Sequence, residues 1–316
     1  MKFRTEIKNI NIPFSISHED KLVMLGSCFT ENIAKKLIRY KFDTLYNPFG
    51  IMYNPVSVSK IILNAIEGIN PKAEDLIKRD DIWHHFDYHG DMSGIYPEEV
   101  IKKATLFSEN LSNYLKATSV LFITIGTSIV YKRIDTGEIV ANNHKFPSSF
   151  FTKTRLEISE VVNNLTAMIN SLKTINPRIN IVLTTSPVRH IKDGIIENQR
   201  SKAVLVLAIE KLLEIDNCYY FPSYELLIDD LRDYRFYTGD LVHPSTEAIE
   251  YIWEIFSDAF FDKKTMELIC KIEKITKSLE HRPINPKSNS YKSFLSNLKK
   301  EISLFNKEYP NLKFKK

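Results

Sequence analysis

The sequence predicts an α/β protein with a parallel sheet covered by helices on both faces. Three observations carry this reading. Short apolar runs alternate with stretches of helical periodicity along the chain; the runs are apolar throughout, as strands buried on both sides are; and the 316 residues, 43% hydrophobic and 26% charged with only 9 Gly and 13 Pro, have the composition of a folded globular chain.

Residues 21–25 form the first apolar run, which stops at Gly26-Ser27, after which Ile33, Ala34, Leu37 and Ile38 recur at helical spacing. This reads as strand, tight turn, helix. Pro55 opens a second helix through Ile61, Ile62 and Ala65, and Pro97 opens a third that reaches Leu115. The stretch 75–94 between them has little periodicity and is long for a plain connection, so it reads as a lid or binding loop. A buried strand at 120–125, a helix at 156–172, a strand at 181–184, a helix at 197–214 and a strand at 219–221 continue the alternation. Right-handed crossovers between such units give a parallel sheet. Ser245 is an N-cap for a last helix (Ile249, Ile252, Trp253, Phe256) that closes the main domain, residues 1–261. Residues 262–316 read as a basic helical extension, interrupted at Arg282-Pro-Ile-Asn-Pro286.

Composition excludes several functions. The longest wholly apolar run, 203–209, is far shorter than the ~18 residues of a membrane span, so no membrane association is expected. Glu6, Lys8, Asn9 and Asn11 leave no apolar leader core, and the chain is expected to be cytoplasmic. Cys28, Cys218 and Cys270 have neither disulfide nor zinc spacing. The net charge of +4 hides an asymmetry: residues 286–316 carry eight Lys and two Glu, leaving the rest at −2. Phe294, Leu295, Leu298, Ile302 and Phe305 fall on one helical stripe there, so an amphipathic helix explains the basic segment and no nucleic-acid partner is expected. The same stripe makes 262–316 a candidate arm for a homodimer or another partner.

In an open parallel sheet, ligands sit at the carboxyl ends of the strands. The first strand delivers Ser27 there, at a helix start, as a nucleophile or as a simple N-cap. Near the far end of the chain, Thr238-Gly-Asp240-Leu-Val-His243-Pro-Ser245 sets an Asp and a His three apart. Asp240 can fix the tautomer of His243, and His243 can take the proton of Ser27, although an Asp-x-x-His pair also arises by chance or as a structural turn.

These residues resemble a known family. Gly26-Ser27-Cys28-Phe29-Thr30-Glu31-Asn32-Ile33 is close to the Gly-Ser-Cys-Phe-Ala signature of the GSCFA family, part of the SGNH (GDSL-like) hydrolase superfamily. Tyr46-Asn-Pro-Phe-Gly50, Thr124-Ile-Gly-Thr-Ser128, Ala141-Asn-Asn-His-Lys145, Ser186-Pro-Val-Arg-His190 and Asp240-Leu-Val-His-Pro-Ser245 extend the resemblance over about residues 20–260. It implies a flavodoxin-like three-layer α/β/α sandwich with Ser27, Asp240 and His243 as the catalytic triad. It also implies an oxyanion hole from the Ser27 N–H, Gly50 and a third donor. Where the superfamily has Gly-x-Asn this chain has Gly126-Thr-Ser128, so either Ser128, an amide such as Asn142 or a backbone N–H replaces the Asn, or the enzyme is slow.

Asn47, His89, Asn142, His144, Arg189 and His190 are the expected substrate-binding residues; for His144, Arg189 and His190 a loop-fixing role is the alternative. Cys28 is either a reactive thiol at a helix start or a small buried one. Trp83-His-His-Phe-Asp-Tyr-His89 invites a metal reading, but its adjacent His residues point apart and no metal is expected. The function expected is a serine ester hydrolase or acyltransferase acting on a small-molecule or carbohydrate acyl ester, with no cofactor and an acid limb around pH 6 to 7 from a titrating histidine. The alternative is a catalytically silent module that binds a glycan or nucleotide-sugar in the same cleft.

Overall fold

A computed structural model of the chain describes residues 4–314. In chain order its main elements are β1 (Lys21–Gly26), α1 (Cys28–Arg39), β2 (Asp43–Tyr46), α2 (Pro55–Glu67), β3 (Ile77–Arg79), β4 (Ile82–His84), α3 (Pro97–Ala117) and β5 (Val120–Ile125). Then come β6 (Ile129–Arg133), β7 (Ile139–Val140), β8 (Phe151–Arg155), α4 (Ile158–Ile175), β9 (Asn180–Thr185), α5 (Ile195–Leu212), β10 (Cys218–Tyr220) and the single turn α6 (Ser223–Glu225). Three long helices, α7 (Thr246–Phe260), α8 (Lys263–Glu280) and α9 (Asn289–Glu308), complete the chain.

The central sheet is parallel throughout, in the order β10-β9-β5-β1-β2. Counted along this sheet alone, that is the flavodoxin-like order 2-1-3-4-5, which reverses between β1 and β5. The two helical layers follow from strand alternation. Val23, Leu25, Leu121, Ile123, Ile181 and Leu183 pack under α2, α3, α4 and α5. Their sequence neighbours Leu22, Met24, Val120, Phe122 and Val182 pack under α1 and α7. Both sets are buried, which is why these strands read as unbroken apolar runs.

Two regions differ from the sequence expectation. The stretch 75–94 contains the antiparallel hairpin β3–β4, with Trp83 bridged to Gly94. Between β5 and α4 lies a separate antiparallel sheet in the order β7-β6-β8, and Phe86 packs on its Val140 and Phe151. These strands are two to five residues long and mostly polar on one side, so they carry no strong period.

Beyond α7, Asp262 caps α8 by accepting from the Thr265 N–H at 2.7 Å. Ile269 joins the α1/α7 core, whereas Ile272 and Ile275 meet Leu298 and Phe305 of α9 and Phe314, with Tyr40 alongside. The apolar stripe of α9 is therefore covered by α8 of the same chain. Among the described residues no helix is long and apolar enough to cross a membrane.

Candidate active site

The site sits at the carboxyl ends of β1 and β5, where the sheet order reverses. At the end of β1, Gly26 has φ +132°, and a Cβ there would lie 2.0 Å from the Thr124 carbonyl oxygen. Only glycine lets the two strand ends approach this closely. Its N–H donates to Asn47 Oδ1 at 2.8 Å, and its carbonyl accepts from the Met52 N–H at 3.0 Å. The turn that carries Ser27 is thus held from both neighbouring segments.

Ser27 occupies the N-cap position of α1, but its side chain makes no capping hydrogen bond. The hydroxyl donates instead to Ser186 Oγ at 2.9 Å, just past the end of β9, and the residue is fully buried. Among the described residues no hydrogen bond joins Ser27 to His243.

Asp240 and His243 lie in a tight exposed turn that includes Leu241 at φ +59°. One Asp240 oxygen accepts from the Thr238 hydroxyl (2.7 Å), the Val242 N–H (2.8 Å) and the His243 N–H (3.0 Å). The other lies 2.7 Å from His243 Nδ1. The Thr238 hydroxyl, then the His243 N–H and ring, hold the Asp240 carboxyl well below the usual range. An ionised carboxylate only accepts, so Nδ1 carries a proton, and in the neutral ring the lone pair is on Nε2. The Arg189 N–H donates to the Val242 carbonyl at 3.3 Å, tying this turn to the loop that follows Ser186.

The family model for the GSCFA family matches residues 21–256, and the one for the GSCFA domain protein, C-terminal domain, matches residues 272–316. The chain belongs to the GSCFA family. No curated protein matches it. Among solved structures it is similar to a carbohydrate esterase family 3 protein from Talaromyces cellulolyticus, at 8% identity over 79% of this chain and 98% of that one, with a TM-score of 0.39. It is also similar to an acetyl xylan esterase, Est2A, from the rumen bacterium Butyrivibrio proteoclasticus, at 12% identity over 78% of this chain and 64% of that one, with a TM-score of 0.38. Similarity at this level assigns no residue a role.

The oxyanion groups expected in this GSCFA chain need correction. The Ser27 N–H donates to the Thr124 carbonyl at 3.1 Å, and the Gly50 N–H donates to the Asn47 carbonyl at 2.8 Å. Ser128 is wholly buried; its N–H and hydroxyl donate to Ser201 Oγ (2.8 Å) and the Ser201 carbonyl (3.2 Å), fastening α5 to the β5–β6 turn. Two amides remain: Asn142, whose Oδ1 accepts from the His144 N–H at 2.9 Å, and Asn47. Asn47 Oδ1 holds Gly26, and its Nδ2 is buried without a partner among the described residues.

A cavity of about 270 Å³ beside this site is lined by Tyr53, His89, Tyr131, Asn142, His190 and Lys192, among others. His89, Asn142 and His190 therefore face the same space. The His190 ring stands edge-on to Tyr53 at 4.9 Å, its Nε2 is buried without a partner among the described residues, and burial pushes its titration down to about 4. His144 belongs elsewhere: it is buried, bonded through Nε2 to the His85 carbonyl at 2.8 Å, and burial likewise pushes it to about 4. It does not line the cavity with His89, Asn142 and His190, and its ring ties its loop to the segment at His85. Arg189 lies between the rings of Tyr237 (4.2 Å) and Tyr234 (5.1 Å) beside the 240–243 turn. Burial pushes the Cys28 thiol up, which disfavours the reactive thiolate.

One group escaped the sequence reading. Lys202 on α5 is 1% exposed, and its Nζ donates to the Ser186 carbonyl at 2.6 Å. Its position was readable: Ser201, Lys202, Leu205, Ala208, Ile209 and Leu212 form the buried stripe of α5, and a lysine within an apolar stripe is an anomaly.

Proposed function

We propose that this GSCFA-family chain is a serine ester hydrolase or acyltransferase. The observation that carries the reading is the Asp240–His243 pair, whose saturated carboxylate leaves Nε2 of the imidazole as an unclaimed base at the same sheet end as Ser27. Rotation of the Ser27 hydroxyl away from Ser186 frees it for attack on an ester carbonyl while His243 takes its proton. His243 then returns the proton to the leaving alkoxide, and an acyl-enzyme on Ser27 awaits water or a sugar hydroxyl. Asn47 Nδ2 and the first N–H groups of α1, those of Cys28 and Phe29, are the donors suited to the oxyanion; the next, from Thr30, is taken by the Ser27 carbonyl at 2.9 Å. The polar and aromatic lining of the neighbouring cavity suits a small acyl group carried on a carbohydrate.

A second reading, a silent glycan-binding module, is favoured by the burial of Ser27 and by the engaged N–H groups of Ser27 and Gly50. Turnover of a panel of p-nitrophenyl and acetyl-sugar esters separates the two. Catalysis predicts release of product that is lost in Ser27→Ala and His243→Ala. Saturable sugar binding, with no turnover above the Ser27→Ala background, supports the module.

A further inference from the structure

Lys202 is a fully buried lysine with no carboxylate within ion-pair distance among the described residues. Packing alone does not explain it, because an apolar side chain fills the same space without a desolvated ammonium, which costs several kcal/mol. The groups that face it are the Ser186 carbonyl at 2.6 Å, the Tyr224 ring at 5.6 Å, and, at longer range, Cys28 and His190. Of these, only Ser186 connects it to the chemistry. The Ser186 hydroxyl accepts from Ser27 Oγ (2.9 Å) and from the Val188 N–H (3.2 Å). Its own hydrogen has no acceptor among the described residues: Lys202 Nζ bonds the carbonyl of the same residue, not the hydroxyl, and must turn from that carbonyl to take the hydrogen.

We propose that Lys202 is a positioning residue that offers Ser27 a second proton route, running inward through the Ser186 hydroxyl to the lysine amine. This rests on Ser27 being the nucleophile. In the step, Ser27 Oγ forms its bond to the acyl carbon and gives its proton to Ser186 Oγ. The Ser186 hydrogen passes to the lone pair of Lys202, the carbonyl π electrons become the oxyanion, and the lysine becomes an ammonium. When the tetrahedral intermediate collapses, the ammonium returns a proton to Ser186 Oγ, and the Ser186 hydroxyl gives its hydrogen directly to the leaving alkoxide, because Ser27 Oγ is by then bonded to the acyl carbon. Serine–lysine pairs are an established alternative to serine–histidine ones, and they require a neutral amine. Burial supplies that condition here, pushing Lys202 down from 10.5 to about 7. Below that pH the ammonium only donates, as it does to the Ser186 carbonyl, and the route is closed.

The test is the rate at which a fluorophosphonate labels Ser27, followed from about pH 6 to pH 9 in the full-length chain. It compares wild type, His243→Ala, and His243→Ala combined with Lys202→Met. The inference expects His243→Ala to keep a residual rate that rises through about pH 7 and exceeds that of the double variant by about 10²-fold at the alkaline end. His243→Ala with Ser186→Ala, which keeps the lysine but cuts the path, should match the double variant, while Ser186→Thr should restore the rise. Should Lys202→Met fail to fold, the two Ser186 variants decide alone. Equal rates and profiles in His243→Ala and every one of these combinations would overturn the second route and leave Ser27 as nucleophile. No labelling of wild type at any pH would remove the nucleophile itself.

Discussion

Replacing Lys202 with Met removes a buried charge and keeps a side chain of similar length, so its effect on stability can be worked out in advance. Burial lowers the lysine from 10.5 to about 7. At about 1.4 kcal/mol per pH unit, the folded state carries a penalty of up to about 5 kcal/mol when the amine is charged. The sign follows from proton counts. The unfolded chain holds the Lys202 proton up to about pH 10.5, the folded chain only up to about 7. Between those limits the unfolded state binds more protons, and wild-type stability rises with pH. Below about pH 7 the penalty is present in full; above about 10.5 it is gone. Methionine carries no proton, so the other titrating groups cancel in the difference between the two proteins. Urea unfolding at about pH 6 should find Lys202→Met more stable than wild type, by up to about 5 kcal/mol less about 1 to 2 for the lost hydrogen bond to Ser186. Most of that gap should close by about pH 10. A gap that stays constant across this range would refute the reasoning, because a pH-independent difference reports packing and not a desolvated amine.

Three further outcomes are expected. Gly26→Ala forces a Cβ to 2.0 Å from the Thr124 carbonyl oxygen, a backbone atom that cannot yield, so it should cost more than about 4 kcal/mol or give no soluble protein, as judged by thermal unfolding and expression. Asp240→Asn removes the acceptor that fixes the His243 tautomer, and should lower kcat/KM on the best ester by about 10²- to 10⁴-fold while circular dichroism stays unchanged. Phe305→Ala opens the α8–α9 cluster and should lower unfolding free energy by about 3 to 5 kcal/mol; because that cluster lies away from Ser27, labelling of Ser27 below the melting range should be unchanged.

The three central strands β1, β5 and β9 were legible because they are buried on both faces, and the apolar run at 120–125 needs no tertiary information to be read; the edge strand β2, half exposed, was less so. Helix starts were legible where capping chemistry is local: Pro55 follows the N-cap Asn54, and Ser245 caps α7 by accepting from the Ala248 N–H at 3.3 Å. The hairpin β3–β4 and the sheet β7-β6-β8 were not, because their strands are only two to five residues long and too short to show a clear alternation, although their partners lie close by in sequence. The same divide runs through the site. The Asp240–His243 bond is a three-residue contact, and spacing alone suggests it. The Ser27–Ser186 bond spans 159 residues, and no local pattern announces it. The roles expected of Ser128 and Gly50 came from resemblance to a motif, which does not record that Ser201 and the Asn47 carbonyl have claimed those donors.

The central claim is that the hydroxyl of Ser27 is a nucleophile, and locating a covalent adduct measures it most directly. Full-length protein treated with a fluorophosphonate at about pH 8 and digested for peptide mass spectrometry should carry the phosphonyl group on Ser27 alone, with the adduct absent from Ser27→Ala and its formation slowed about 10²-fold or more in His243→Ala. An unmodified Ser27 in protein that is folded by circular dichroism, or an adduct carried on another residue, would contradict it.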